Sequence, residues 1–368
     1  MNTIRHLDID KDLEQFKDLS IKSFGTRTNE EYDFLKWAFD ENIYNDTEYT
    51  NLMFVMEDET TGKIIAADGL SPCRLYYKGK VLKAAHSVKS MTHPDYKRKG
   101  IFRNMTENSL ANAKKYGFDI VLGLANDNSA PAYDKFGWNM MFEREVYILP
   151  VNIKNKLKSI VKLGFAASAG NKIYSNILNR KLNRKLKRNT KNELRLSVKL
   201  SDCINPNDAE KVWNNYKEKY DLCLVRDGEF FDYRYNKRPD VNYKSFTLYD
   251  DGSAVGIAVI HEAIANGKKM ISLLECFTDP TNDTYIESLC KAFVRYAIKN
   301  NIEYIVSSTG LFGNYKKVMT GLGFMVLNAS NTVMICKPLT DEAASVAQFG
   351  YSSWHLTQGD GESDWDLI

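Results

Sequence analysis

Between Val88–Thr92, which alternates as a strand, and an amphipathic helix at Phe102–Tyr116 lies Lys97-Arg-Lys-Gly-Ile-Phe-Arg103, four cations around a single glycine. Backbone N–H groups in such a loop, at the N-terminus of a helix, form a site for a phosphate or pyrophosphate. Gly100 lets the backbone approach an anion with no side chain in the way, and Lys97, Arg98, Lys99 and Arg103 surround it with positive charge. Taken alone, the loop reads equally well as a solvated basic turn. The next strand-to-helix junction is Asn126-Asp-Asn-Ser-Ala-Pro-Ala-Tyr-Asp-Lys-Phe-Gly-Trp138. It adds a strand-ending amide, a phenol on a short helix and a Gly-Trp pair. Tyr133 and Trp138 would each pass for core residues in isolation. The order and spacing of the two junctions together point to one anion-binding site.

The elements that must position these residues follow from periodicity. Ile4–Asp8 is a short strand, and Lys11–Phe24 and Glu30–Glu41 have helical apolar spacing. Leu52–Glu57 and Lys63–Asp68 alternate as strands, and Leu75–Tyr77 and Val81–Ala85 form a hairpin about Lys78-Gly-Lys80. Phe102–Tyr116 stops at Gly117. Ile120–Leu124 is a buried strand, Ala130–Phe136 a short helix and Val146–Leu149 a last strand. The second half repeats this plan. Its strands are Leu194–Lys199, Ser245–Tyr249, Ala254–His261, Met270–Phe277, Tyr304–Ser308 and Val333–Lys337. Its helices are Asn207–Lys217, Gly228–Arg234, Tyr285–Lys299 and Asn314–Leu322, the last ending at Gly323-Phe324 as the earlier one ends at Gly137-Trp138. The fold class is α/β on mixed sheets. One difference between the halves concerns chemistry. The loop after Met270–Phe277, Thr278-Asp-Pro-Thr-Asn-Asp-Thr284, has no glycine and no cation but carries Asp279 and Asp283, which repel a pyrophosphate.

Hydrophobic residues at 43% and charged residues at 26% of 368 positions describe a globular chain too long for one small core, so two domains are expected. Six cysteines without Cys-x-x-Cys spacing fit reduced thiols in a cytoplasmic protein; neither a disulfide frame nor a metal site is expected. The start, Met-Asn-Thr-Ile-Arg-His, has no apolar signal region. Asn152–Arg188 holds eleven Lys/Arg and no acid, with Leu178, Leu182 and Leu186 on one helical face. It reads as a solvated helical connector. Nucleic acid is not an expected partner, because no aromatic interleaving supports it, and membrane contact is not expected either.

The two junctions resemble the acyl-CoA pyrophosphate loop and the Asn…Tyr-x-x-x-Gly-aromatic segment of the GNAT superfamily of N-acyltransferases. The usual loop is Gln/Arg-x-x-Gly-x-Gly/Ala; here it is Lys97-x-x-Gly100-x-Phe102, with Phe102 in a small residue's place and tolerated if it points into the core. The resemblance implies two tandem GNAT-like domains, each a mixed, mostly antiparallel central sheet flanked by helices. Residues 1–150 would be the acyl-CoA-binding domain, 151–192 a basic helical linker, 193–340 a second, degenerate domain, and 341–368 a tail folding back toward the cleft.

Acyl transfer from a thioester to an amine needs a neutral amine, donors for the carbonyl oxygen, and a proton or hydrogen bond for the departing thiolate. By resemblance, Tyr133 serves the departing sulfur and Asn126 the pantetheine arm or an ordered water. Met91 and Thr92 offer backbone to pantetheine amides. Lys97, Arg98, Lys99, Gly100, Ile101, Phe102 and Arg103 hold the pyrophosphate, and Ser129 joins the cofactor site. His86, six residues before Thr92, stands about where family members carry a Glu base, and an imidazole suits that task near neutrality. Asp68, Asp127, Glu275 or water are the alternatives. The donor is acetyl-CoA or a longer acyl-CoA such as hydroxybutyryl-CoA.

For the acceptor, Trp354-x-x-Thr-x-Gly-Asp360 resembles the terminus of tandem GNAT-like proteins of bacterial surface-polysaccharide synthesis, and the match is to acylases of dTDP-3-amino-3,6-dideoxyhexoses for O-antigen or capsule. The expected acceptor is a small-molecule amine on a dTDP-linked amino sugar. Glu275, Arg234, Tyr235, Arg238, Trp354 and His355 are the candidate acceptor residues, supplying stacking and charge. The other readings are acetylation of a peptide, polyamine or aminoglycoside amine, or a non-catalytic CoA-binding module. The sequence leaves the oligomeric state open.

Overall fold

The computed structural model describes residues 2–25, 31–161, 164–183, 195–265, 267–309, 312–327 and 332–361. The chain begins with β1 (Asn2–His6), α1 (Ile9–Phe24), α2 (Tyr32–Leu35), β2 (Met53–Asp58), β3 (Lys63–Tyr77) and β4 (Lys80–Thr92). Next come α3 (Ile101–Lys115), β5 (Ile120–Asn126), α4 (Ala130–Lys135), β6 (Asn139–Glu143) and β7 (Glu145–Pro150). Helices α5 (Lys154–Val161) and α6 (Gly164–Asn183) lead to β8 (Leu196–Ser201), α7 (Pro206–Tyr216), β9 (Leu222–Leu224) and α8 (Gly228–Phe231). The remainder is β10 (Tyr243–Asp250), β11 (Ser253–Ala265), β12 (Lys268–Thr278), α9 (Asp283–Lys299), β13 (Tyr304–Thr309), α10 (Tyr315–Leu322), β14 (Met325–Leu327), β15 (Thr332–Pro338), α11 (Asp341–Ala344) and β16 (Trp354–His355).

Two compact units result. The first comprises Met1–Glu143, Lys237–Asp240 and Asn331–Gly350; the second, Arg144–Asn236, Val241–Ser330 and Tyr351–Ile368. The sequence reading divides the chain at 150, 192 and 340. In the structure, β7 pairs with β13 and β14 in the second unit, and β15 lies between β5 and β6 in the first. The last strand of each half therefore completes a sheet that the other half began. Pairing partners of this kind leave no local trace in a strand's own sequence.

The sheet of the first unit runs β1-β2-β3-β4-β5-β15-β6, antiparallel except for the pair β4–β5. Two interruptions expected from sequence are absent. Lys63–Tyr77 is one strand through Gly69 and Pro72, and Lys80–Thr92 is one strand through His86 and Ser87. A Cβ at Gly69 would lie 2.4 Å from the Met53 methyl carbon, so the end of that side chain packs into the space glycine leaves. Pro72 pairs with Ala85, and its carbonyl accepts from Asn42 Nδ2 at 3.2 Å. Ala66, Ala85, Ile101, Met105, Val121, Tyr133, Trp138 and Ile335 form one buried cluster that fastens α3 and α4 to one face of this sheet. Burial of such side chains supplies about 1.5–3 kcal/mol each.

The sheet of the second unit runs β14-β7-β13-β12-β11-β10-β8 and is antiparallel except for β12–β13. A short parallel pair, β16 with β9, belongs to the same unit. Helix α6 buries Leu178 and Leu182 and leaves Ile173 and Ile177 exposed; Leu186, the third residue of the expected face, lies outside the described residues. No described helix is long and apolar enough to cross a membrane. All six cysteines are free thiols, Cys203 alone being exposed.

Candidate active site

Strands β4 and β5 pair through Ala84↔Ile120, Ala85↔Val121 and His86↔Leu122. Beyond that point β4 runs on to Thr92 and β5 to Asn126 with no further pairing between them. The two strands thus part and present backbone edges to whatever lies between. The cause is visible in β4. Ala67 faces Met91 and Gly69 faces Val88, so Lys89 and Ser90 stand opposite Asp68 alone. Lys89 takes φ 52°, the left-handed region. A bulge of this kind bends a strand and re-aims its side chains.

At the open end, the basic loop has Arg98 at φ 65° and Gly100 at φ 77°. Gly100 precedes the first turn of α3, which has no side-chain cap, so the amides of its first residues, Ile101, Phe102 and Arg103, have no partner within the helix. Lys97, Arg98, Lys99 and Gly100 are exposed. Lys99 sits over the Tyr96 ring at 4.6 Å, and Arg103 pairs with Glu107 at 2.7 Å. Uncapped amides, a dipole end and local cations make this a place for a pyrophosphate. A Cβ at Gly100 would meet no protein atom within 4 Å, so within the chain itself it is the positive φ that favours glycine. Gly100→Ala is therefore expected to cost about 1–2 kcal/mol of stability, and the disturbed loop should raise the Kd for acyl-CoA in calorimetry while kcat changes little.

Phe102 turns inward, its ring 5.3 Å from that of Tyr133 and 5.8 Å from that of Phe136. Its bulk is absorbed by the core and not by the loop. Tyr133 itself is 5% exposed and packs edge-on against Trp138 at 4.9 Å. Its hydroxyl lies 3.0 Å from Ser90 Oγ and 3.4 Å from Ser87 Oγ, both on the diverging part of β4. Burial, reinforced by the charge of Asp68, pushes the phenol up to about 12, so it stays protonated at any working pH. Ser90 also bonds Asp68 Oδ1. Asp68 is 2% exposed, and burial pushes its carboxyl up to about 6.

His86 is the last paired residue before the strands part. The alternation of a strand sets it on the face opposite Ala85 and Ser87, hence away from Tyr133. Its Nε2 is buried without a hydrogen-bond partner, as is Thr92 Oγ1. Burial pushes the imidazole down to about 4, leaving it neutral near neutrality. Met91 is buried. Asn126 is exposed and makes the turn from β5 into α4: its Oδ1 accepts from the amides of Asn128 (3.0 Å) and Ser129 (3.2 Å), and its own amide donates to Ser129 Oγ (3.1 Å). The donor-side residues Met91, Thr92, Tyr133 and the loop are thus gathered in the first unit, with Ser87 and Ser90 as members that no sequence motif announced.

The residues expected at the acceptor are placed differently. Arg238 belongs to the first unit, where it is buried over the rings of Phe34 (5.1 Å) and Trp37 (5.3 Å) and bound to Asp240 at 2.8 Å. Glu275, Trp354 and His355 are 0%, Tyr235 4% and Arg234 5% exposed, all within the second unit. There β12 and β13 pair only through Met270↔Tyr304, Ile271↔Ile305 and Ser272↔Val306 before they also part. The segment Gln358–Asp360 packs against both strands. Arg226, fully buried, donates to Glu275 (2.8 Å), Asp360 (2.6 Å), Thr357 (3.1 Å) and the Leu224 carbonyl (2.8 Å). Arg234 donates to the carbonyls of Gly359 and Gly361, each at 3.1 Å. The start of α9 is closed as well, because Asn282 accepts from the amides of Thr284 and Tyr285 and Asp279 stands beside it.

Residues 3–141 match the family model described as acetyltransferase (GNAT) domain. No curated protein matches the chain. Similar solved structures include a probable N-acyltransferase from Enterococcus faecalis V583, with 13% identity, 92% of this chain and 72% of that one covered, and a TM-score of 0.60. A GCN5-related N-acetyltransferase from Anabaena variabilis gives 10%, 92%, 73% and 0.64. The Saccharomyces cerevisiae N-myristoyltransferase with bound myristoyl-CoA gives 13%, 91%, 82% and 0.58. At such identities the likeness to these structures is one of fold. The family match is confined to residues 3–141, and the chain as a whole is built, as expected, on mixed, mostly antiparallel sheets flanked by helices.

Proposed function

We propose that this protein moves an acyl group from acyl-CoA to the amine of a nucleotide-linked amino sugar by direct attack, in surface-polysaccharide synthesis. The observation that carries the reaction is the parting of β4 from β5 between an uncapped, basic helix start and the hydroxyl of Tyr133. The backbone of Met91 and Thr92 lies along the pantetheine arm, and the amides of Ile101–Arg103 with Lys97, Arg98 and Lys99 hold the pyrophosphate. Asn126 and Ser129 shape the β5–α4 turn beside it. Tyr133 donates to the departing sulfur. His86, neutral and with a free ring nitrogen on the other face, accepts the proton of the attacking amine. The bound long-chain donor of the yeast neighbour makes acyl groups longer than acetyl compatible with this fold.

The sugar acceptor rests on the likeness of Trp354–Asp360 to the tails of such enzymes. Here Trp354, His355, Glu275, Arg234 and Tyr235 serve by fixing the tail in the second unit. That unit is a degenerate copy. Its own strand parting is filled by Gln358–Asp360, and its helix start is capped, so one acyl-CoA binds per chain.

The test is calorimetry with acetyl- and hydroxybutyryl-CoA, followed by thiol release with dTDP- and UDP-linked amino sugars, a polyamine, an aminoglycoside and a peptide amine. A stoichiometry of one and turnover with an amino sugar nucleotide are expected. Turnover with the other amines alone would replace the acceptor, and a stoichiometry of two would overturn the degenerate reading. No CoA binding would overturn the site.

A further inference from the structure

Tyr133 has a partner behind it that acyl transfer as described leaves unused. Asp68 is a carboxyl 2% exposed inside the α3 face of the sheet, and Ser90 stands between it and the Tyr133 hydroxyl. The bulge at Lys89–Ser90 is what aims Ser90 there. Lys89 itself lies over the Phe34 ring at 5.7 Å. Burial acts on Asp68, opposed by hydrogen bonds from Ser109 of α3 and Ser90 of β4, and the charge of Asp68 in turn acts on Tyr133 of α4.

We propose that Asp68 and Ser90 are the proton relay behind Tyr133, setting the direction of its O–H bond and replacing the proton it gives up. This rests on the reading of Tyr133 as donor to the leaving sulfur. A serine hydroxyl has one hydrogen. When Asp68 is ionised, that hydrogen is held by the carboxylate, and Ser90 can only accept from Tyr133, so the phenol points away from the sulfur. When Asp68 is protonated, it donates to Ser90, Ser90 donates to Tyr133, and the phenol hydrogen is free for the sulfur. As the C–N bond forms and the C–S bond breaks, the Tyr133 proton goes to sulfur, the Ser90 proton to the Tyr133 oxygen and the Asp68 proton to Ser90. The proton lost by the amine, released through solvent, restores Asp68, so each turnover balances.

The energetics agree. An alkyl thiol has a pKa of about 8.5. Transfer from a phenol at about 12 is uphill, whereas transfer through the relay from a carboxyl at about 6 is downhill. The active form is the protonated carboxyl, so activity falls as pH rises through its ionisation.

The experiment uses the intact enzyme and its acyl-CoA, with kcat/KM measured against pH and a proton inventory taken in mixed light and heavy water. Wild type should show a descending limb set by Asp68, from about pH 6 upward, and a curved inventory. Asp68→Asn should lose that limb and about 10-fold in kcat. Ser90→Ala should lose a similar factor with an unchanged KM and a linear inventory, and the double variant should be no worse than either single one. Thermal melts confirm folding, and Ser90→Ala carries the test should the buried Asn disturb it. If both variants keep the wild-type limb and curvature while Tyr133→Phe is impaired, the relay is wrong. If Tyr133→Phe is itself unimpaired, the reading on which the relay rests has failed.

Discussion

Replacing Tyr133 with phenylalanine is expected to lower kcat about 10²-fold while KM for acyl-CoA stays within about two-fold. The ring contacts that place it, with Phe102 at 5.3 Å and Trp138 at 4.9 Å, survive the change. What disappears is one hydroxyl in hydrogen-bonding reach of Ser87 and Ser90. Those two serines, 3.4 Å apart, can still bond each other. The stability cost is therefore about 1 kcal/mol, that of one hydrogen bond. The kinetic cost is expected to be larger because, in the proposed role, the hydroxyl meets charge that exists only as the C–S bond breaks, and interactions made only then appear in kcat.

Burial makes the same prediction sharper. With its pKa pushed up to about 12, Tyr133 does not ionise in the assay range and contributes no alkaline limb of its own. The deficit of Tyr133→Phe should therefore not change through ionisation of the phenol itself and should narrow only as Asp68 ionises, above about pH 6. It should shrink with an acyl donor whose thiol is more acidic, since a better leaving group needs less help. Single-turnover thiol release with two such donors measures both effects. A variant within two-fold of wild type on the poorer leaving group would remove Tyr133 from the chemistry.

The parts of this site that the sequence disclosed are those with local causes. A glycine at positive φ before a helix, cations beside it, and Tyr-x-x-x-Gly after a strand are readable because the backbone conformation demands those residue types where they stand. The bulge that opens β4 has no such mark. Lys89 adopts φ 52° without being Gly, Asn or Asp, so Ser90 and its bond to Asp68 could not be seen. Arg226 was hidden for another reason. It follows the apolar run Leu222–Val225 in sequence, yet its partners, Glu275, Thr357 and Asp360, come from distant segments. The one available hint was a tail whose polar residues alternate with Trp354 and Leu356, a composition better suited to burial than to solvent. The residues expected at the acceptor, Glu275, Arg234, Tyr235, Trp354 and His355, are instead buried in the second unit with the tail. Their burial makes them its clasp.

That clasp yields the largest expected loss of stability. Arg226→Met should destabilise the protein by about 3–5 kcal/mol and lower the melting temperature by roughly 10 °C. Arg226 is the cation between two buried carboxylates, and its removal leaves Glu275 and Asp360 facing each other with no counter-charge at 0% and 6% exposure. Asp360→Asn is the contrasting case. Arg226 keeps Glu275 and the Leu224 carbonyl, so the loss should be much smaller. The pH dependence separates a charge effect from simple repacking. In the wild type, burial tends to raise the Glu275 pKa, but Arg226 together with His355 outweighs it and holds the carboxyl below its usual range. A lowered folded-state pKa gives stability that is present above the unfolded value and lost as pH falls. Without Arg226, burial is opposed by His355 alone and raises the Glu275 pKa. The folded state then binds the extra proton, and stability is lost as pH rises. The deficit of Arg226→Met relative to wild type should thus be smaller near pH 5 than near pH 8, in melts followed by circular dichroism at both. A deficit that is constant with pH would mean that Arg226 holds the tail by packing and not by charge. No deficit would mean that Gln358–Asp360 is not anchored where β12 and β13 part.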